Sequence, residues 1–357
     1  MLIILSILLN SKWCCAKDYA ILISAGETIN DTINNQEYWS DLFITYKTLL
    51  LNESYDSTNV FVFYGSGIDY SSSNTMYSKA NYDWGKITDY DNSWSTMTSA
   101  FDSIGNIITN DDNLLIFWLV GHGGINHTAT DETSIVNSYF VGFNNRPYYI
   151  NKESLYNLFS RVPNYRKRKI FWMTCYAGCM AMGDYNLCND KTVFIASSKY
   201  NEYSYSFRDD IAGWRVSFDA AFNSLLTGVY PDGSIMDFTI ATGYMVNDID
   251  GILSLQELYE SIDNFNYRNY ISSTYIMLQH IDPYIKDNGG IASKVFVNEH
   301  LSQNDMNFTD YAGNYWVDDI IISNSTYNNS IIHIETDNNA IIKENSFFGN
   351  NTELIVK

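Results

Sequence analysis

LLIFWLVGHGG (residues 114–124) and KIFWMTCYAGCM (residues 169–180) are the two stretches on which the fold turns. Each begins as an apolar run with no polar residue at every second place. A strand with one wet face would alternate, so an unbroken run marks a strand covered on both faces, the habit of a parallel sheet. Three further runs read the same way: Tyr19–Ala25, Asn59–Tyr64 and Thr192–Ser197. Amphipathic stretches lie between them. Glu37–Leu51 puts Tyr38, Leu42, Tyr46 and Leu49 on one helical face, and Lys152–Ser160, Val216–Leu226 and Ser254–Ile262 follow, with Ser254 and Glu257 spaced as a capping box. Strands alternating with helices predict an α/β fold whose mostly parallel sheet is flanked by helices.

Around this frame, Gly65–Trp94 is rich in Ser, Asn, Asp and Tyr and reads as a long surface excursion. Past residue 300 the pattern changes to short β-type runs, Asp319–Ser323, Ile331–Glu335, Ala340–Ile342 and Leu354–Val356, broken by Asn and Gly. They predict a small all-β C-terminal module over 301–357, after a main domain over 17–300. At the other end, the apolar run Leu2–Leu9 is too short to span a bilayer and fits the core of a signal peptide over 1–16. The expectation is an exported protein, secreted or at the cell surface, with no membrane span in the mature chain.

Composition narrows the function. With 357 residues, 46% hydrophobic residues and only 4 prolines, the chain is long and apolar enough for a large core. Its 41 acidic and 21 basic residues leave a net charge of −20, which repels phosphate backbones and argues against nucleic-acid partners. The single basic run, Arg166 to Lys169, leads into an apolar strand and reads as a solvated turn. No CxxC or Cys/His spacing suggests zinc, so neither metal nor cofactor is expected.

The chemistry sits where the two deciding stretches end. One finishes in Gly121-His122-Gly123-Gly124, the other in Thr174-Cys175-Tyr176-Ala177-Gly178. The carboxyl ends of parallel strands form the ligand crevice of such sheets, and strands close in sequence tend to be neighbours. His122 and Cys175 are therefore expected in one crevice. A thiol becomes a strong nucleophile once a base removes its proton, and an imidazole can do so and then protonate the leaving amine. The amides of Gly123 and Cys175 are candidates for an oxyanion hole.

This order of motifs resembles the caspase-like clan of cysteine peptidases, and more closely its legumain-like family, which includes the GPI-anchor transamidase and bacterial secreted relatives. YAILISAG (19–26) with NNQEYWSDLFITYKTL (34–49) is similar to the family's first strand and helix, and NDIDGILSLQELYESI (247–262) to the turn and final helix of bacterial relatives. VFIASSKYNEYSYSF (193–207) resembles the strand and loop lining the pocket for the residue before the scissile bond. The resemblance implies a caspase-like sheet, a protein or peptide substrate, and an endopeptidase with Cys175 as nucleophile, His122 as base and acid, and Gly123 as oxyanion donor. It implies Ser197, Ser198, Glu202 and Ser204 as substrate-binding residues. Where legumain carries an Arg-His pair and a Glu after its cysteine, this chain has Gln36-Glu37 and Tyr176, so preference for asparagine is not implied. Transpeptidation, with an amine replacing water, uses the same dyad, and an inactive binding protein would keep the same fold.

Of 5 cysteines, Cys14 and Cys15 fall in the expected signal segment. The odd remainder implies at least one free thiol. Cys179 and Cys188 pairing would leave Cys175 free; three reduced thiols are the alternative. The sequence leaves the oligomeric state open.

Overall fold

The computed structural model describes residues 16–26, 36–70, 84–126, 128–143, 149–209, 213–230, 253–263, 265 and 282–297, and the backbone of the strands beyond 300. The expected signal peptide lies, but for Ala16, outside the described residues.

Strands β1 (Asp18–Ser24), β2 (Val60–Tyr64), β3 (Asn113–Val120), β7 (Arg168–Trp172), β8 (Thr192–Ala196) and β11 (Tyr284–Asp287) form a six-stranded sheet in the order β11-β8-β7-β3-β1-β2. All pairs are parallel except β11, which runs antiparallel along the edge of β8. The mostly parallel sheet read from the sequence is thus present, each run within a residue or two of its expected bounds. Numbering between these strands is taken up by β4 (His122–Gly124), β5 (Phe140–Gly142) and β6 (Tyr149–Asn151), a small antiparallel sheet, and by the hairpin β9 (Ser206–Asp209) and β10 (Gly213–Val216).

Ring contacts show why the strands do not alternate. Phe117 of β3 faces Phe171 of β7 in register, and both meet Phe222 of helix Ser217–Thr227 with centroids 4.9 Å apart. The next pair, Trp118 and Trp172, stacks at 4.8 Å and meets Phe159 of helix Lys152–Phe159. Adjacent strand residues point to opposite faces, so the two helices cover opposite faces and every position of β3 is buried. In chain order the helices are α1 (Gln36–Leu51), α2 (Trp94–Gly105), α3 (Glu132–Asn137), α4 (Lys152–Phe159), α5 (Ser217–Thr227) and α6 (Leu255–Asp263). Helix α6 starts on the expected capping box: Glu257 N–H donates to Ser254 Oγ at 3.3 Å and Ser254 N–H to Glu257 Oε2 at 2.8 Å.

Three readings need correction. Of the basic run read as a solvated turn, Arg168 and Lys169 lie in strand β7 and are buried. Residues 84–92, expected on a surface excursion, return along the free edge of β2. Tyr64 N–H donates to Tyr90 O, Tyr90 N–H to Val62 O, and Ile87, Thr88 and Asn92 are buried. The stretch satisfies an edge that would otherwise leave backbone groups unpaired. Beyond residue 300 the strands are β-type as expected, but they pair in parallel. β12 (His300–Leu301), β14 (Asp319–Ser323) and β17 (Ala340–Lys343) form one sheet; β13 (Gly313–Trp316), β16 (Ile331–Glu335) and β19 (Glu353–Val356) a second; β15 (Thr326–Asn328) and β18 (Ser346–Phe348) a third. Gly313 faces Ile332, Ile320 faces Ala340 and Ile331 faces Glu353, steps of 19, 20 and 22 residues. The chain winds in coils of about twenty residues, laying a strand on each sheet in turn.

Candidate functional site

The two strand ends meet. β3 and β7 run in register to Trp118 and Trp172, and Met173 N–H continues the ladder by donating to Trp118 O at 2.8 Å. Beyond this point the chains part. After Gly121 the first chain leaves the main sheet as β4, pairing His122 with Gly142. His122 is exposed at its head. The second makes a tight turn at Thr174, Cys175 and Tyr176, and the backbone of Tyr176 lies in the left-handed region (φ 57°), a conformation uncommon for a residue with a side chain.

Gly123 packs directly on that turn. A β-carbon there would stand 1.9 Å from the Cys175 carbonyl oxygen and 2.8 Å from Thr174 Oγ1. Only glycine allows the His-bearing strand to approach the Cys175 turn this closely. The sequence-expected trio of His122, Gly123 and Cys175 is therefore gathered at the carboxyl ends of β3 and β7.

Cys175 is half-buried, and its Sγ lies 3.7 Å from Ser204 O as a weak S–H donor. Burial pushes its thiol pKa above the ordinary value, against the smaller opposing effect of Ser204's backbone. A base is thus needed to make thiolate at neutral pH.

Ser197, Ser198, Glu202 and Ser204 surround the same turn. Ser198 Oγ donates to Thr174 O at 3.0 Å and accepts from Ala177 N–H at 3.1 Å, while Tyr176 N–H donates to Glu202 O at 2.7 Å. Ser197 Oγ reaches Ser204 Oγ at 2.8 Å. Ser197 and Ser198 are only 3% and 1% exposed, so their hydroxyls serve the turn from beneath. That differs from the expected pocket wall; Glu202 and Ser204, half-buried, remain at the crevice. Tyr203, exposed beside them, packs its ring 5.2 Å from that of Tyr176.

The expected Cys179–Cys188 bridge is absent: Cys175, Cys179 and Cys188 are all free thiols. Each of the latter two has its own surroundings. Cys179 Sγ donates to Tyr200 O at 3.4 Å, whereas Cys188 lies near Arg168 and Lys286. Burial holds both pKa values up at about 12, so neither is a ready nucleophile. Among the described residues, no group of three or more His, Cys, Asp or Glu could hold a metal ion, and no helix is long and apolar enough to cross a membrane.

A charged cluster that the sequence reading missed joins α1, β10 and α5. Arg215 is fully buried and ion-paired to Asp41 through Nε and to Asp219 through Nη2 at 2.6 Å. Thr45 Oγ1 and Asn223 Nδ2 donate to Asp219 Oδ1 at 2.7 and 2.9 Å. Burial, and the like charge of Asp219, push Asp41 well above the usual carboxylate range in spite of Arg215. Glu37, bonded by Ser206 Oγ, is also raised by burial.

No protein-family model and no curated protein matches this chain. Among solved structures, the fold is similar to the crystal structure of caspase-1 from Spodoptera frugiperda, with a TM-score of 0.41 at 12% identity, covering 76% of this chain and 86% of that one.

Proposed function

We propose that the protein is a cysteine peptidase acting through His122 and Cys175. One observation carries this reading: Gly123 lies against the Cys175 carbonyl, which brings the backbone of the exposed His122, one residue before it, to the turn that bears a half-buried thiol. The thiol is neutral because burial raises its pKa, which fits transfer of its proton at the moment of attack better than a standing thiolate.

In the proposed cycle His122 takes the Sγ proton as sulfur bonds to the carbonyl carbon of the substrate. The oxyanion is held by backbone amides, with Gly123 and Cys175 as donors, each worth on the order of 3 kcal/mol. His122 then gives the proton to the amine as the C–N bond breaks, leaving a thioester on Cys175. Water, deprotonated by the same imidazole, releases the acid and restores the thiol.

A thiol-reactive peptide probe and a peptide hydrolysis assay test the assignment together. Cys175→Ala should lose both labelling and hydrolysis, and His122→Ala should lower hydrolysis by roughly 100-fold or more. Full hydrolysis by purified Cys175→Ala protein would end this reading.

A further inference from the structure

Beneath the Cys175 turn runs a line of polar groups with no access to solvent. Trp172 Nε1 lies 2.9 Å from Tyr139 Oη, Tyr139 Oη 2.6 Å from Thr174 Oγ1, and Thr174 Oγ1 3.1 Å from Cys175 O. The three side chains are 0%, 0% and 1% exposed.

One arrangement of protons satisfies every group in this line. An indole N–H can only donate, so Tyr139 Oη accepts from Trp172. Either hydroxyl can donate between Tyr139 and Thr174; with Thr174 donating to the Cys175 carbonyl, the proton of Tyr139 goes to Thr174 Oγ1. Burial pushes the Tyr139 phenol far above its ordinary pKa, so it stays a donor across the working pH range.

The peptide unit that receives this proton is held at its other side as well, because Tyr176 N–H donates to Glu202 O. The preceding unit is held at its carbonyl by Ser198 Oγ. The relay therefore fixes the peptide plane that sets the left-handed Tyr176 turn beside the thiol. It also keeps the Cys175 carbonyl, on which Gly123 rests, from being a buried acceptor with no partner.

We infer that Tyr139 and Thr174 are positioning residues for the reaction proposed above: the buried relay from Trp172 through both hydroxyls to the Cys175 carbonyl holds the thiol and its neighbouring amide in working geometry. The inference rests on the peptidase reading and extends it to residues that touch no substrate.

Three variants test it: Thr174→Val, which keeps the volume and removes the proton; Thr174→Ser, which keeps the proton and removes a methyl; and Tyr139→Phe, which breaks the relay one step earlier. Activity is expressed per Cys175 thiol titrated with the thiol-reactive peptide probe, below the melting temperature, so that loss of folded protein does not count. Thr174→Val should lower kcat by about 10- to 100-fold with KM unchanged, Tyr139→Phe should lower it less, and Thr174→Ser should stay within about 3-fold of the parent. A Thr174→Val protein with parental kcat per thiol overturns the relay. Should that variant not fold, parental kcat in Tyr139→Phe does the same. A parent protein that titrates but hydrolyses no peptide brings down the peptidase reading and the relay with it. An active parent with unaffected variants brings down the relay alone.

Discussion

Gly123→Ala probes the contact on which the site is built. The added β-carbon would stand 1.9 Å from the Cys175 carbonyl oxygen and 2.9 Å from its carbon. A relaxed C···O contact is about 3.3 Å, so the strand carrying His122 and the turn carrying Cys175 must separate by roughly 1.4 Å. Neither partner yields easily, since the obstructing atoms are backbone and the turn is held at Thr174 O, Tyr176 N–H and Ala177 N–H. Misplacement on this scale costs about 100-fold in rate, and strain at a packed site about 1–3 kcal/mol in stability. Gly124→Ala is the matched control. Its β-carbon would stand 2.3 Å from the ring of Phe140, a side chain that can swing aside, and the three atoms nearest to it all belong to that ring. Peptide hydrolysis per titrated thiol, with melting temperature alongside, reads both variants. The expected result is a drop of about two orders of magnitude for Gly123→Ala and less than about 5-fold for Gly124→Ala. If folded Gly123→Ala protein keeps activity within that same margin, the two strand ends are not in the contact described and the argument for a shared crevice fails.

Two further outcomes follow from charge. Because burial raises the Cys175 pKa, the unreactive thiol is favoured at neutral pH, and iodoacetamide alkylation of Cys175 should rise roughly tenfold per pH unit up to and beyond pH 9. A rate already level from pH 6 upward would mean a thiolate held by a permanent cation and would contradict transfer of the proton during attack. Arg215→Met should cost about 3–5 kcal/mol at pH 7, since Asp41 and Asp219 would be left buried without their cation. Asp41 already has a raised pKa, and a carboxyl so shifted favours the folded state while protonated and loses that contribution as pH climbs through its folded value. The deficit should therefore shrink towards pH 4, and a small or pH-independent deficit in thermal or denaturant unfolding would refute the pairing.

The central sheet was legible because burial on both faces writes itself as unbroken apolar runs, and the His122 and Cys175 turns were legible because they end those runs. Helix α2 was missed. Its Met97, Ala100, Phe101 and Ile104 do repeat on one face, but Ser and Thr occupy much of the rest and mask the period. The supports of the site were not readable at all. Tyr139 and Thr174 are 35 residues apart and Arg215 and Asp41 174 apart, and no local pattern joins them. Ser197 and Ser198 are adjacent to the loop expected to line the pocket, but strand β8 ends just before them and the turn lies over their hydroxyls. The Cys179–Cys188 pairing failed for a related reason. Counting thiols says how many can pair, but the geometry of the short helical turn at Ala177–Ala181 aims Cys179 at Tyr200 O.

The C-terminal coils mark the boundary between a pattern that is present and one that can be interpreted. Ile321-Ile322 pairs with Ile341-Ile342, and Thr326-Tyr327 with Ser346-Phe347, each at a step of twenty residues. That repeat is in the sequence, yet strands of three to five residues separated by Asn-rich turns suit antiparallel hairpins equally well. What distinguishes the two is the partner of each strand. In a hairpin Ile320–Ser323 would meet the next strand along the chain; here it skips β15 and β16 and meets β17. At this step the register sets Ile321 opposite Ile341 and Thr326 opposite Ser346 in successive coils. Two or three copies of a degenerate unit are too few to reveal that rule by composition, and the period becomes convincing only once register shows which residues are neighbours.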